Sequence, residues 1–459
     1  MRTFARLRLA PVLLLALPSP WLSGQEATLE LSGELMSDQR VLLREHQPWA
    51  WNETRLTTRL DKRTGGNAKF HGEIWLRNLG LPGLHSSADL YNKGIVDPLS
   101  LEIREAYVQL NGFLCRNLDV TLGRQRIAWG TADVINPTDN LNPADMEDVL
   151  DFGRRRGSDA IRLQYYLGRD VSLEAVLLPH FQAANLPVGI FAGSLSSAME
   201  LPTGMVLRSA ADTLLTPAKT LAQQASGGLR LKGFVAGVDL SLSYVWSRDG
   251  LPFNTWNTLT PVDLLGGVGV ASRLSYERFH VLGVDLATSL GGVGLWGEAA
   301  LFLPDREVVM TNDLSAFYPL SPDPVLSDSV VLKKEACLKF VVGADYNFAD
   351  GSYLNLQFIH GFAHERGREA LNDYLFLGFN KALFDGKLTL SPVNGAFIVA
   401  DWSDIGNNHA LAYMPELSYQ ATPNAKLTIS AVIFDGEGNN LFAGMKDLDM
   451  LVFSFACSL

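Results

Sequence analysis

Several features that would assign this 459-residue chain to a familiar class are missing. Only three cysteines occur, Cys115, Cys337 and Cys457, and their odd number and wide spacing give neither a disulfide framework nor a C-x-x-C metal site. No apolar run reaches the roughly 18–20 residues that a membrane-spanning helix needs. Basic residues number 38 against 49 acidic ones, which argues against a nucleic-acid-binding surface. G-x-S-x-G, H-E-x-x-H and G-x-x-x-x-G-K sequences are also missing, so we expect no enzyme, no metal site and no cofactor.

The N-terminus has the composition of an export signal. Arg2, Arg6 and Arg8 precede an apolar run over residues 9–17, and small residues follow near Gly24. This order predicts a cleaved secretory signal peptide over 1–24, with a short membrane anchor as the alternative. Without the three signal arginines, 35 basic residues face 49 acids, a net charge of −14. No linker or change of composition divides residues 25–459, which favours one large domain.

Alternation of apolar and polar residues with period two is the strongest pattern in the chain. In the last stretch, Leu451, Phe453 and Phe455 share one face, while Val452 and Ser454 share the other. Such segments recur along the whole mature chain and are separated by turns. The pattern predicts an all-β transmembrane antiparallel β-barrel, with lipid outside and a polar lumen inside. A soluble β-solenoid or sandwich is the alternative, but it would require repeats or a dry core, and the sequence shows neither.

The strand count follows from the same alternation. Eighteen candidates lie near 27–37, 52–61, 68–78, 101–110, 117–126, 158–167, 171–180, 227–233, 237–247, 279–290, 293–303, 335–347, 352–361, 373–383, 387–399, 409–420, 425–434 and 447–459. Short turns rich in Gly, Asp, Asn or Pro alternate with long connections, as periplasmic turns and outer loops do in such barrels. An even count places both termini in the periplasm. A count of sixteen stays open, because one hairpin is easily misread.

The long connection 127–157 carries the densest chemistry. Asn142 followed by Pro143 predicts a helix near 143–151, with the asparagine as N-cap and the proline at the first helical position. A loop of this length with structure of its own is more often functional than idle. We therefore expect 127–157 to fold into the barrel and narrow the pore, with a solvated surface loop as the alternative.

Charged residues in and around this loop predict a constriction with two faces. Acids set against arginines would create a transverse field that filters solutes by charge. The predicted basic side consists of Arg124, Arg126, Arg154, Arg155, Arg156 and Arg162, and the acidic side of Asp139, Asp145, Glu147 and Asp148. Arg124 and Arg126 share the lipid-facing parity of their strand. A β-bulge at Gly123 or a position at the membrane interface would accommodate them.

The stretch Gly-Arg-Gln-x-x-x-Trp-Gly at 123–130, the Asn-Pro-rich loop after it and the barrel pattern together carry a resemblance. They resemble porin-like outer-membrane proteins of Gram-negative bacteria: an uncharacterised porin-like family and, more distantly, the alginate-export barrels. The resemblance implies a passive pore without identifying a substrate.

We therefore expect an outer-membrane channel for small hydrophilic solutes, gated by a charged constriction loop. Its expected partners are outer-membrane lipid, the solutes themselves, and the periplasmic chaperones and barrel-insertion machinery; nucleic acid is not among them. A surface receptor or adhesin using the long loops 181–226 and 304–334 is the main alternative. A barrel-embedded hydrolase is a further one, and it would require a serine, a histidine and an acid at one depth on the barrel.

Overall fold

A computed structural model describes residues 29–44, 49–80, 86–133, 135–151, 153–192, 204–263 and 265–459. The predicted signal peptide, residues 1–24, lies outside the described residues. Within the described part of the chain, no helix combines the length and the apolar character that a membrane crossing requires.

Strands make up nearly all of the regular structure. In chain order they are β1 (Leu29–Leu42), β2 (Trp49–Thr64), β3 (Ala68–Leu79), β4 (Leu99–Leu110), β5 (Leu118–Gln125), β6 (Ser158–Tyr166), β7 (Val171–Leu178), β8 (Val206–Leu215), β9 (Ser226–Val235), β10 (Val238–Arg248), β11 (Phe253–Pro261), β12 (Gly267–Ser275), β13 (Arg278–Leu290), β14 (Val293–Pro304), β15 (Val308–Asp313), β16 (Leu326–Leu332), β17 (Cys337–Asn347), β18 (Ser352–His360), β19 (Asp373–Leu383), β20 (Leu388–Val399), β21 (His409–Tyr413), β22 (Glu416–Thr422), β23 (Ala425–Gly436) and β24 (Met450–Ser458). Two single-turn helices, α1 (Lys93–Val96) and α2 (Leu221–Gln224), lie in connections, as do 3₁₀ turns at Asp89–Tyr91, Gly189–Phe191, Ser315–Phe317, Arg368–Ala370, Ile405–Asn407 and Ala443–Met445.

The wall is a closed antiparallel sheet of 18 strands, as the sequence predicts. β1 pairs with β24, so the first and last wall strands meet and the sheet has no open edge. β21 and β22 both lie between β20 and β23 and together form one wall strand. This strand is interrupted next to Pro415, which has no N–H to donate to a neighbouring strand. Each of the eighteen predicted strands corresponds to one wall strand, and the alternative count of sixteen is wrong.

Side-chain alternation follows the predicted parity. In β10, Leu240 and Leu242 are exposed on the outer face, whereas Ser241 and Ser243 are buried on the inner face. In β24, Val452 lies opposite Arg40 of β1 and therefore on the inner face. The outer apolar residues form the lipid-facing surface of a transmembrane barrel.

The two ends of the barrel differ. At one end, here called the short-turn end, wall strands are joined by tight connections such as 291–292 and 423–424. At the other, the loop end, three long connections contain five strands that the apolar–polar alternation does not predict. β8, β11, β12, β15 and β16 form a separate sheet, the outer sheet, with the order β16-β15-β11-β12-β8. Every residue of β8 is exposed, so this strand has no buried face that would impose an apolar–polar alternation.

The barrel interior is polar near the short-turn end and apolar near the loop end. The larger apolar cluster joins wall residues to residues of the long loops. Its largest fully buried members are Phe191, Val341, Ile359, Tyr374, Ile398, Phe442, Met445 and Met450. A second cluster surrounds Trp129. The expected polar lumen is therefore present at only one end, because at the loop end the inner wall packs against folded loops.

Candidate functional site

Residues 126–157, the inner loop, connect β5 to β6, and the described residues among them lie inside the barrel. Their backbone consists of turns and isolated bridges, and the predicted helix over 143–151 is wrong. Asn142 does not cap a helix. Its Nδ2 donates to the Gln125 carbonyl at 3.1 Å, and its Oδ1 accepts from the Ile127 N–H at 2.7 Å. The Asn142 side chain instead holds the middle of the inner loop against the start of the same loop.

A single carboxylate of the barrel wall, that of Glu298, holds the first part of the inner loop. Glu298 of β14 is 3% exposed and accepts five hydrogen bonds from the loop. The donors are the backbone N–H groups of Thr131, Ala132 and Thr138, the Thr138 hydroxyl and the Asn136 side-chain amide, at 2.7–3.2 Å. Hydrogen bonds to a charged acceptor are stronger than neutral ones, so this is the densest attachment of the loop.

Three buried arginines of the wall hold the second part of the inner loop. The pairs, with their shortest N–O distances, are Arg40–Asp148 at 2.5 Å, Arg77–Glu147 at 2.6 Å and Arg104–Asp145 at 2.9 Å. These arginines lie on β1, β3 and β4. Between β3 and β14 the shorter way round the wall passes seven strands of the 18, so the two attachments lie nearly opposite each other. The inner loop therefore crosses the barrel interior.

The structure does not show the predicted division of the constriction into a basic and an acidic face. Arg154 lies 3.1 Å from Asp145 and 3.4 Å from Glu147, within the same loop. Arg126 and Arg155 both pair with Asp139. The physical reason is that acids and arginines alternate within one short segment that has little water around it. They pair directly because an unpaired buried charge is costly, and paired charges leave little transverse field.

The other three predicted arginines have different surroundings. Arg156 donates to the Asn185 side chain at 2.9 Å and so binds the inner loop to an outer loop. Arg162 faces inward and pairs with Glu174 at 3.1 Å. Arg124 faces the outside of the barrel, where it lies 3.5 Å from Asp159, and it is not part of the barrel interior.

The predicted β-bulge at Gly123 is also wrong. β5 pairs with β4 and β6 without a register shift, and Arg124 lies one residue from the end of β5, which accommodates its charge. The shift occurs in β4 instead, where Arg104 is the extra residue between Ile103 and Glu105. This bulge turns the arginine inward to Asp145. It explains why parity counted along an uninterrupted strand did not identify Arg104.

The Trp-Gly pair that ends the 123–130 motif has a structural explanation. The Trp129 ring is 2% exposed, and its Nε1 donates to Glu174 at 2.9 Å. A Cβ atom on Gly228 of β9 would lie 2.8 Å from this ring, so glycine lets the indole pack against the wall. Gly130 has a φ of +103°, and a Cβ there would lie 2.5 Å from the Glu298 carboxylate. Both glycines serve the close approach of loop to wall.

Two carboxylates of the loop are held ionised. Burial opposes ionisation of Asp145, but Arg154 and Arg104 lower its pKa below the ordinary range. For Asp148, burial is likewise outweighed by the hydrogen bond from Arg40, and the pKa is lowered. Among the described residues, no group of histidines, cysteines and acids could hold a metal ion.

Strand parity in the sequence predicts inward side chains for Glu298 and Arg77, which is where the structure places them, but parity does not give their partners in the loop. Arg40 and Arg104 are not among the predicted residues. Arg40 lies two residues after Asp38 on β1, so both side chains lie on the inward face. Strand parity could therefore have identified Arg40. Arg104 is concealed by the bulge.

The family model described as a protein of unknown function, DUF1302, matches residues 55–456. The chain belongs to the DUF1302 family. The resemblance to an uncharacterised porin-like family is thereby confirmed. A search of curated proteins gives no match.

Solved structures with a similar fold are outer-membrane proteins. OmpF of Salmonella typhi, in complex with daunomycin, has 11% identity and a TM-score of 0.41, covering 94% of this DUF1302 chain and 97% of its own. OmpT of Vibrio cholerae has 10% identity and a TM-score of 0.40, covering 95% and 98%. A mutant of the Rh. blastica porin has 12% identity and a TM-score of 0.40, covering 94% and 100%. At such identities only the barrel architecture is compared, and no function is transferred.

Proposed function

We propose that this protein is an outer-membrane channel for small solutes whose passage is controlled by the inner loop. The observation that carries the proposal is the attachment of this loop to opposite walls, by Glu298 on one side and by three buried arginines on the other. A segment in that position obstructs any path along the barrel axis. Export through a cleaved signal peptide and insertion by periplasmic chaperones and the barrel-insertion machinery belong to the same proposal.

The proposed control differs from that of a fixed charge filter. The charges of the loop are paired with one another and with the wall, so the loop closes the path mainly by occupying it. Opening then requires the hydrogen bonds to Glu298 or the ion pairs to Arg40, Arg77 and Arg104 to break. This predicts rare open events in the resting protein rather than a steady large conductance.

Planar-bilayer recording of the refolded full-length protein tests the proposal. We expect brief, discrete current steps. The reversal potential under a salt gradient then reports which charges act on permeating ions. A folded and inserted protein that gives no steps, even when its inner loop has been released by substitution, would contradict the channel.

One observation favours a second candidate, a surface receptor or adhesin. The outer sheet presents five strands built from three long loops, and its edge strand β8 is exposed along its whole length. An ordered surface of this kind suits recognition more than diffusion. Silence in the bilayer experiment would favour this candidate.

A further inference from the structure

A cavity of about 140 Å³ lies between the inner loop and the outer loops at the loop end of the barrel. On a comparable measure one water molecule needs roughly 10–15 Å³, so the cavity has room for a small organic molecule. Its apolar lining includes the rings of Phe181, Phe279, Phe302 and Phe362. Binding sites for small molecules combine such apolar walls with a few polar groups.

Besides His180, the described lining of this cavity contains four basic and three acidic side chains. They are Arg155, Arg248, Lys339 and Arg366, and Asp139, Asp249 and Glu365. The acids have partners. Asp139 pairs with Arg155, Glu365 accepts from Asn372 and Tyr374, and Asp249 accepts from the Leu251 N–H and lies 3.7 Å from Arg366. The carboxylates of the cavity are therefore occupied by the protein itself.

Two of the basic side chains lack an oppositely charged partner in contact among the described residues. Over the described residues, neither Lys339 nor Arg248 has a carboxylate oxygen within 4 Å. Lys339 is the more deeply buried, at 6% exposure. Its Nζ donates to the carbonyls of Phe362 at 2.6 Å and Glu365 at 2.5 Å, and it lies 5.1 Å from the centre of the Phe302 ring. An ammonium has three donors, so these two bonds leave one N–H for a further acceptor.

The surrounding backbone makes room for this lysine. Gly361 has a φ of +85°, and a Cβ there would lie 2.9 Å from the Lys339 Cγ. A buried cation that contacts no carboxylate is energetically costly, and an anionic ligand would offset that cost. The position of Lys339 between apolar rings thus fixes two properties of a ligand, one anionic group and an apolar body.

We propose that this cavity binds small amphiphilic carboxylates, with the carboxylate on Lys339 and the apolar part against Phe279, Phe302 and Phe362. The inference rests on the proposed function in that it names the solute class of the channel. It differs from the hydrophilic solutes that the sequence predicts, because the interior at this end is apolar.

Calorimetric titration of the refolded full-length protein tests the inference, with phenylacetate as the probe. Phenylacetamide has the same shape without the charge, and acetate has the charge without the ring. We expect phenylacetate to bind at least tenfold more tightly than either. Lys339→Met should reduce the affinity for phenylacetate at least tenfold and leave that for phenylacetamide unchanged. Lys69→Met, which removes an inward lysine that pairs with Asp61 near the short-turn end, is the matched control and should change neither.

If Lys339→Met does not fold, Phe302→Leu provides the second variant. It should weaken phenylacetate binding several-fold without affecting acetate. Equal affinities for phenylacetate and phenylacetamide, no saturable binding to the folded protein, or unchanged binding in either folded variant would overturn the inference. Titration requires no flux, so binding without current would count against the channel alone. Current without phenylacetate binding would count against the carboxylate site alone.

Discussion

Ion pairs occur at both ends of the barrel interior, but their surroundings differ. Near the short-turn end, Arg59 pairs with Glu73 and Lys69 with Asp61, and the basic side chains are 47% and 29% exposed. Near the loop end, the side chains of Arg40 and Arg77 are 5% and 3% exposed. Exposed pairs contribute little, whereas breaking a buried pair leaves an uncompensated charge. The same chemistry therefore lines a wet wall at one end and holds a folded loop in place at the other.

The largest expected effect comes from Glu298→Ala. This change removes the acceptor of five hydrogen bonds, including those from the backbone N–H groups of Thr131, Ala132 and Thr138. A hydrogen bond to a charged group contributes about 1.5–3 kcal/mol, so losing one already shifts an equilibrium about tenfold or more. We expect at least a tenfold higher open probability in single-channel recordings.

Glu416→Ala is the control for this variant, since Glu416 lies on the inner wall nearer the short-turn end and contacts Ser418 and Lys426. Its open probability should remain that of the unchanged protein. Equal behaviour of the two variants would show that the attachment to Glu298 does not control passage.

Arg40→Met sharpens the comparison of buried and exposed pairs. The change leaves Asp148 without its buried partner, at an expected cost of about 3–5 kcal/mol. Arg59→Met breaks the more exposed pair and should cost at most about 1 kcal/mol. Denaturant unfolding of both variants measures the difference. Similar losses would mean that burial does not distinguish the two ends.

Acid should release the inner loop. Because the folded-state pKa values of Asp145 and Asp148 are lowered, these groups stabilise the attached loop fully above their unfolded value, about 3.9. That stabilisation is lost as the pH falls below about 4, through the folded-state values. Open probability recorded between pH 7 and pH 3 should therefore rise in that lower range. Asp148→Asn should show a higher open probability at pH 7 and a smaller further rise, and an unchanged acid response would contradict this origin.

The smallest expected effect is that of Trp129→Phe. The aromatic packing is retained, and only the hydrogen bond from Nε1 to Glu174 is lost, at about 1–3 kcal/mol. The change should raise open probability less than Glu298→Ala does. A larger effect would place the main attachment of the loop at Trp129 instead of Glu298.

Much of the wall could be read from the sequence, because each wall strand has lipid on one face and the interior on the other. This difference imposes the period-two alternation that identified all eighteen wall strands and the inward positions of Glu298 and Arg162. β8 has no such difference between its faces, so alternation does not identify it. The Asn-Pro signal at 142–143 predicted a helix that does not form, because a local signal does not show that Asn142 bonds to Gln125 and Ile127.

By itself, then, the sequence determined the closed barrel and the position of the loop with the densest charge, while it left strand counts of eighteen and sixteen open. Only the tertiary structure decided which charges meet. Pairing of Arg40 with Asp148 joins residues 108 positions apart, and the bonds that Thr138 donates to Glu298 join residues 160 apart. The physical reason is that alternation reports the local environment of one strand. Contacts across the barrel depend instead on strand register, on the bulge at Arg104 and on the path of a loop through the interior.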